Sequence, residues 1–134
     1  MLLKISVKST KRTQMIDITD DIQQIVSDHK ITTGYATLFV PHTTAAVTIN
    51  EGADPDVQTD MISTLSHLIP QSKTHKHMEG NSDSHIKSSL IGASETVFIE
   101  DGRLVLGTWQ HIFFFEGDGP RHRSLYVKII KEQD

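Results

Sequence analysis

"QHIFFFEG", residues 110–117, is the stretch on which the fold turns. Successive side chains of a strand point to opposite sides, so the apolar run Ile112 to Phe115 cannot belong to a strand with one wet face. Both faces need cover, in a sandwich or at a subunit contact. Outward from that run, "TVFIED" (96–101), "RLVLGT" (103–108) and "SLYVKIIK" (124–131) all have strand composition. Asp101-Gly102 between two of them is the hairpin signal of a type I′ turn, which wants positive φ at both central residues.

Toward the N-terminus, "LLKISVKS" alternates Leu3, Ile5 and Val7 with polar residues, and "RTQMIDIT" repeats the pattern, so Ser9 to Lys11 reads as a hairpin linker between two strands. Thr19 or Asp20 can cap a helix with a buried stripe of Ile22, Ile25 and Val26, stopped by Thr32 to Gly34. The run Tyr35 to Val40 is interrupted by Pro41, which exposes His42, Thr43 and Thr44 before the chain resumes at Ala45. A second helix has Asp54 at its cap, Pro55 at its first position and a stripe of Val57, Met61, Leu65 and Leu68, and it ends before Pro70. "IKSSLIG" (86–92) reads as a further strand, entered through the polar "EGNSDSH" of residues 79–85. The expected fold class is α+β: about eight strands in mostly antiparallel, sandwich-like sheets with two helices on one side.

The chain has 134 residues, the size of one domain, and nothing in it approaches the apolar length of a transmembrane helix, so the expectation is a single cytoplasmic domain over residues 1–134. Its net charge of -4, with no basic run, argues against a nucleic-acid partner. There is no cysteine, which excludes thiolate chemistry and leaves any metal to His, Asp or Glu. Eight histidines are the compositional oddity, and His42, His75, His77 and His85 lie in or near turn-rich sequence.

Three clusters carry chemistry. In "PHTTAAVTINEGADPD" an imidazole after a strand-breaking proline, followed by two hydroxyls, presents hydrogen-bonding groups suited to an anion, while Asp54 and Asp56 also serve as helix caps. His42, His77 and His85 are too unevenly spaced for a local metal pair, but folding can gather them into a three-imidazole site with an open position. In "EGDGPRHRS" the plain reading is a solvated loop with a salt bridge. The functional one is that Arg121 and Arg123, two apart on an extended segment, converge on one phosphate. Trp109 reads as core, with Gln110 facing the other way toward a ligand.

Together, "HTTAAVTINEGADPDV", "HMEGNSDSHIKSSLIG", "GRLVLGTWQHIFFFE" and "DGPRHRS" resemble the YjbQ-like family, also described as secondary thiamine-phosphate synthases. The resemblance spans nearly the whole chain. It implies a homotrimer and a polar pocket lined by His42, Thr43, Thr44, Asn50, Glu51, His77, Glu79, Asn81, His85, Gln110, Arg121 and Arg123. The activity it implies joins a pyrimidine-methyl diphosphate to a thiazole phosphate, with release of diphosphate. In that expectation His42, His85 and Glu51 are catalytic. Thr43, Thr44, Asn50, Asn81, Gln110, Arg121 and Arg123 bind substrate phosphate. His42, His77, His85 and Glu79 hold a divalent metal, Mg²⁺ or Zn²⁺. A metal-binding protein or metal-dependent hydrolase, and a trimer that only binds a small phosphorylated metabolite, are the alternatives.

Overall fold

The computed structural model describes residues 1–132. Strands β1 (Leu2–Lys8), β2 (Gln14–Asp17), β3 (Gly34–Phe39), β4 (Ala45–Glu51), β5 (Ser94–Glu100), β6 (Arg103–Leu104), β7 (Gln110–Glu116) and β8 (His122–Lys131) form two antiparallel sheets. One runs β1-β8-β3-β5-β6 and the other β2-β7-β4. Helices α1 (Thr19–Asp28), α2 (Pro55–Leu68) and α3 (Ser82–Ile91) complete the chain.

Leu38, Val97, Leu125 and Val127 of the larger sheet pack with Val47, Ile112 and Phe114 of the smaller one and with Ile22 and Val26 of α1. Phe113 and Phe115 point to the opposite face of β7 and are buried too, as the consecutive apolar run requires. α3 packs against β4 on that side. Each of the three phenylalanines is about 1% exposed or less, and burial of such a side chain stabilises by about 1.5–3 kcal/mol.

The Asp101-Gly102 turn forms as expected, with φ of 51° and 76° joining β5 to β6. α2 starts as expected, the Asp54 carboxylate accepting from the Asp56 N–H with Pro55 in the first turn. α1 also lies where expected, but its first turn is held from outside. The Asp17 carboxylate accepts from the Thr19 N–H at 3.0 Å and its hydroxyl at 2.6 Å, while the Thr19 oxygen accepts from Ile112 N–H.

Four expectations are corrected. β1 and β2 are not a hairpin: β1 pairs with β8 and β2 with β7, so the linker passes between sheets. Ser9, expected in that hairpin linker, is buried against Glu116 and Arg121. "IKSSLIG" is not a strand but the body of a third helix. α3 buries Asp83, Ser84, Lys87 and Ser88, a helical stripe made of polar residues, while Ile86 and Leu90 face out. Periodicity of apolar residues could not reveal such a helix. Finally, Trp109 is 63% exposed, because it lies in the turn before β7 rather than within the strand.

Candidate polar cleft

The kink at Pro41 ends β3 and carries His42 to the start of β8, where the Ser124 N–H donates to His42 Nε2 at 2.9 Å. A nitrogen that accepts from an amide carries no proton, so the ring proton sits on Nδ1. Burial, reinforced by the charge of Arg123, holds the His42 pKa below its ordinary value. His42 is therefore a neutral imidazole fixed in one tautomer.

Behind it, Arg123 on β8 is almost fully buried beside Glu116, the last residue of β7. Arg123 Nε donates to Glu116 Oε1 at 2.9 Å, and Nη2 donates to Glu116 Oε2 and to the Thr44 hydroxyl at 2.8 Å. Ser9 Oγ and the Asp118 N–H add two more donors to the Glu116 carboxylate. Burial would raise the Glu116 pKa, but these donors and the Arg123 charge outweigh it and hold it below the ordinary carboxylate value.

The loop after β7 turns back so that Arg121 Nε donates to the Asp118 carbonyl at 2.7 Å and Nη2 to its carboxylate at 3.0 Å. The same carboxylate accepts from Asn81 Nδ2 at 2.7 Å, which ties this loop to the start of α3. Against the effect of burial, Asn81 and Arg121 keep the Asp118 pKa low. Below the loop, Asp83 is fully buried and accepts from Lys87 Nζ at 3.1 Å and from both terminal nitrogens of Arg12 at 3.2 and 3.1 Å. Arg12 and Lys87 likewise overcome burial and hold the Asp83 pKa low.

These supports shape a cleft of about 400 Å³ into which His42, Thr43, His77, Glu79, Asn81, His85, Arg121 and Arg123 converge. His77 and His85 meet edge to face, ring centres 5.3 Å apart. A second recess of about 420 Å³ opens on the other side of His42, Thr43 and His85, toward Ser88, Ser89 and Gly92. Nine of the expected site residues thus gather in one place, Thr44 among them as the Arg123 anchor.

Asn50, Glu51 and Gln110 do not join them within the chain. Glu51 is six residues along β4 from Ala45, about 20 Å at the rise of a strand, and it pairs with Gln110 at the far end of the sheet. There Glu51 accepts from the Ala53 N–H and Gln110 from the Gly107 N–H, both shaping turns. Each arginine gives Nε and Nη2 to Glu116, Thr44 or Asp118, which leaves Nη1 of each and the second N–H of Arg121 Nη2 uncommitted among the described residues. Among the described residues no group of three or more His, Asp or Glu side chains is placed to hold one metal ion. His42 Nε2 is taken by the backbone, so the residues present do not fit a three-imidazole metal centre. Arg12, Asp83 and Lys87 were missed as site supports, since nothing local in the sequence marks Arg12 as their partner.

The chain is thus a two-layer antiparallel sandwich with a charge-buttressed polar cleft. Its sequence relatives place it further. The profile described as UPF0047 protein YjbQ-like matches residues 3–132, and the chain belongs to that family. It is 55% identical over 133 residues to a UPF0047 protein of Methanocaldococcus jannaschii, covering 99% of this chain and 96% of that one. With UPF0047 protein YugU of Bacillus subtilis the identity is 49% over 131 residues, covering 97% and 99%. Among solved structures, a YjbQ/UPF0047 protein of Clostridium acetobutylicum superposes with a TM-score of 0.93 at 48% identity, covering 96% of this chain and 99% of that one. A protein of Sulfolobus solfataricus, described as YbjQ-like and of unknown function, superposes with a TM-score of 0.92 at 33% identity, covering 98% and 97%.

These relatives overturn the expectation of thiamine-phosphate synthesis: they are described by family alone, one of them expressly as of unknown function, and none as a synthase.

Proposed function

We propose that the cleft binds a small phosphorylated metabolite through its phosphate group. The observation that supports this reading is the convergence of Arg121, Arg123, Thr43, His42, His77 and His85 on one space of metabolite size. The His42 Nδ1–H, the Thr43 hydroxyl and the uncommitted Nη1 of each arginine can all donate to phosphate oxygens, and none can repel them. The carboxylates behind the arginines fix their geometry, so little side-chain entropy is lost when an anion enters.

Calorimetric titration with ethyl phosphate tests the reading. Saturable binding is expected, weakened about tenfold or more in Arg121→Ala, since a hydrogen bond to a charged group contributes about 1.5–3 kcal/mol. No saturation up to about 10 mM, a Kd worth under about 3 kcal/mol, would remove the reading.

The homotrimer belongs to the same proposal. α2 has no buried residue, and Leu68 of α2 and Leu90 of α3 are each 69% exposed, leaving apolar surface for further copies of the chain. Light scattering that returns the mass of three chains supports it, and a monomer mass rejects it.

A further inference from the structure

The charges around the cleft cancel. Arg123 is paired with Glu116, Arg121 with Asp118 and Lys87 with Asp83, while Arg12 lies between Asp83 at 3.1 Å and Asp118 at 3.8 Å. Four cationic groups thus face three carboxylates. The fourth carboxylate is Glu79, which lines the cleft and has no ion-pair partner among the described residues; its side-chain contact is a long one, 3.4 Å from Asn81 Nδ2. With Glu79 included, the formal charge of the ensemble is zero.

A second observation lies beside it. Asn81 also lines the cleft and is 5% exposed, and its Oδ1 is buried with no donor among the described residues. The orientation of this amide is not arbitrary: the strong contact at 2.7 Å goes to the Asp118 carboxylate, which can only accept, so the NH₂ must face Asp118 and the oxygen must face away. An orphaned buried acceptor is costly and is relieved by a donor. The cleft is therefore two-signed: Arg121, Thr43 and His42 supply donors, and Glu79 and Asn81 supply acceptors.

Building on the phosphate-binding reading, we infer that the ligand is a zwitterion: a phosphate monoester that also carries an ammonium or similar cationic donor, which Glu79 and Asn81 receive. A simple phosphate dianion would enter a neutral surround with its charge uncompensated and the Asn81 oxygen still unpaired. A ligand that brings its own cation satisfies both kinds of group in the cleft, and Glu79 selects it over a phosphate ester without one.

The test compares two probes of nearly equal size, ethyl phosphate and phosphoethanolamine, titrated into the full chain in EDTA. Phosphoethanolamine is expected to bind about tenfold more tightly, the effect of one charge-assisted hydrogen bond. In Glu79→Gln the ratio of the two affinities should fall close to one. Equal affinity in the wild type overturns the inference, as does a preference that survives Glu79→Gln. A preference seen only when Mg²⁺ replaces EDTA also overturns it, because the group held by Glu79 would then be a metal ion. Absence of binding by both probes is a different outcome, which strikes the phosphate reading itself.

Discussion

Replacing Glu116 by alanine tests whether the buttress behind the cleft is a buried ion pair or a surface one. The carboxylate is fully buried and receives four donors, from Arg123 Nε and Nη2, Ser9 Oγ and the Asp118 N–H. Alanine leaves the Arg123 guanidinium buried without a counter-charge and strands Ser9 and Asp118. Removing one partner of a buried pair costs about 3–5 kcal/mol. In urea, with a slope of about 2 kcal/mol/M, the unfolding midpoint should fall by about 1.5–2.5 M at unchanged slope. Joint replacement, Glu116→Leu with Arg123→Met, should cost much less than the sum of the two single changes, because no unpaired charge remains. The acid limb carries the same signature. The folded Glu116 pKa lies below its unfolded value of about 4.3, so its contribution is present above that pH and is lost as pH falls through the folded value. Stability of Glu116→Gln should therefore depend less steeply on pH in that range. A midpoint shift of Glu116→Ala equivalent to less than about 1 kcal/mol would refute this account, since that is the scale of an exposed ion pair.

Nitrogen NMR should find His42 protonated at Nδ1 and bare at Nε2; a proton on Nε2 would contradict the hydrogen bond from Ser124. Because its folded pKa is lowered, stability from neutral His42 is complete above the unfolded value of about 6.5 and declines as pH falls through the folded one. On α3, Asp83→Ala should cost about 3–5 kcal/mol, because Lys87 is left buried and unpaired, whereas Lys87→Met should cost less, with Arg12 still on the carboxylate. Chemical denaturation of the two variants that reverses this order would sink the assignment. Gly102→Val should cost about 1–2 kcal/mol by the same measurement, since a β-branched residue resists the φ of 76° held in the β5–β6 turn.

The features legible from residue order alone are those whose cause is local. Asp54 and Pro55 mark the start of α2 because a cap and a first-turn proline act within a few residues. Asp101-Gly102 marks its hairpin because positive φ is a property of the residues in the turn. "HIFFFE" required cover on both faces because alternation along a strand is strict. Pro41 likewise placed His42 and Thr43 at a break, where side chains can project into a cleft.

The rest followed from contacts between distant parts of the chain. α3 was illegible because its inward stripe is Asp83, Ser84, Lys87 and Ser88, and a polar stripe is buried only where partners from distant parts of the chain satisfy it. Arg12 supplies one such partner from 71 residues away. A salt bridge in "EGDGPRHRS" was legible, but which acid holds which arginine was not, since the register that sets Glu116 and Thr44 against Arg123 comes from the packing of the strands. Asn50, Glu51 and Gln110 carry suitable chemistry, yet strand geometry sets them at the opposite end of β4 and β7 from the cleft. Residue type declares which groups can bind; long-range pairing decides which of them meet, and which are already held by a neighbour when they do.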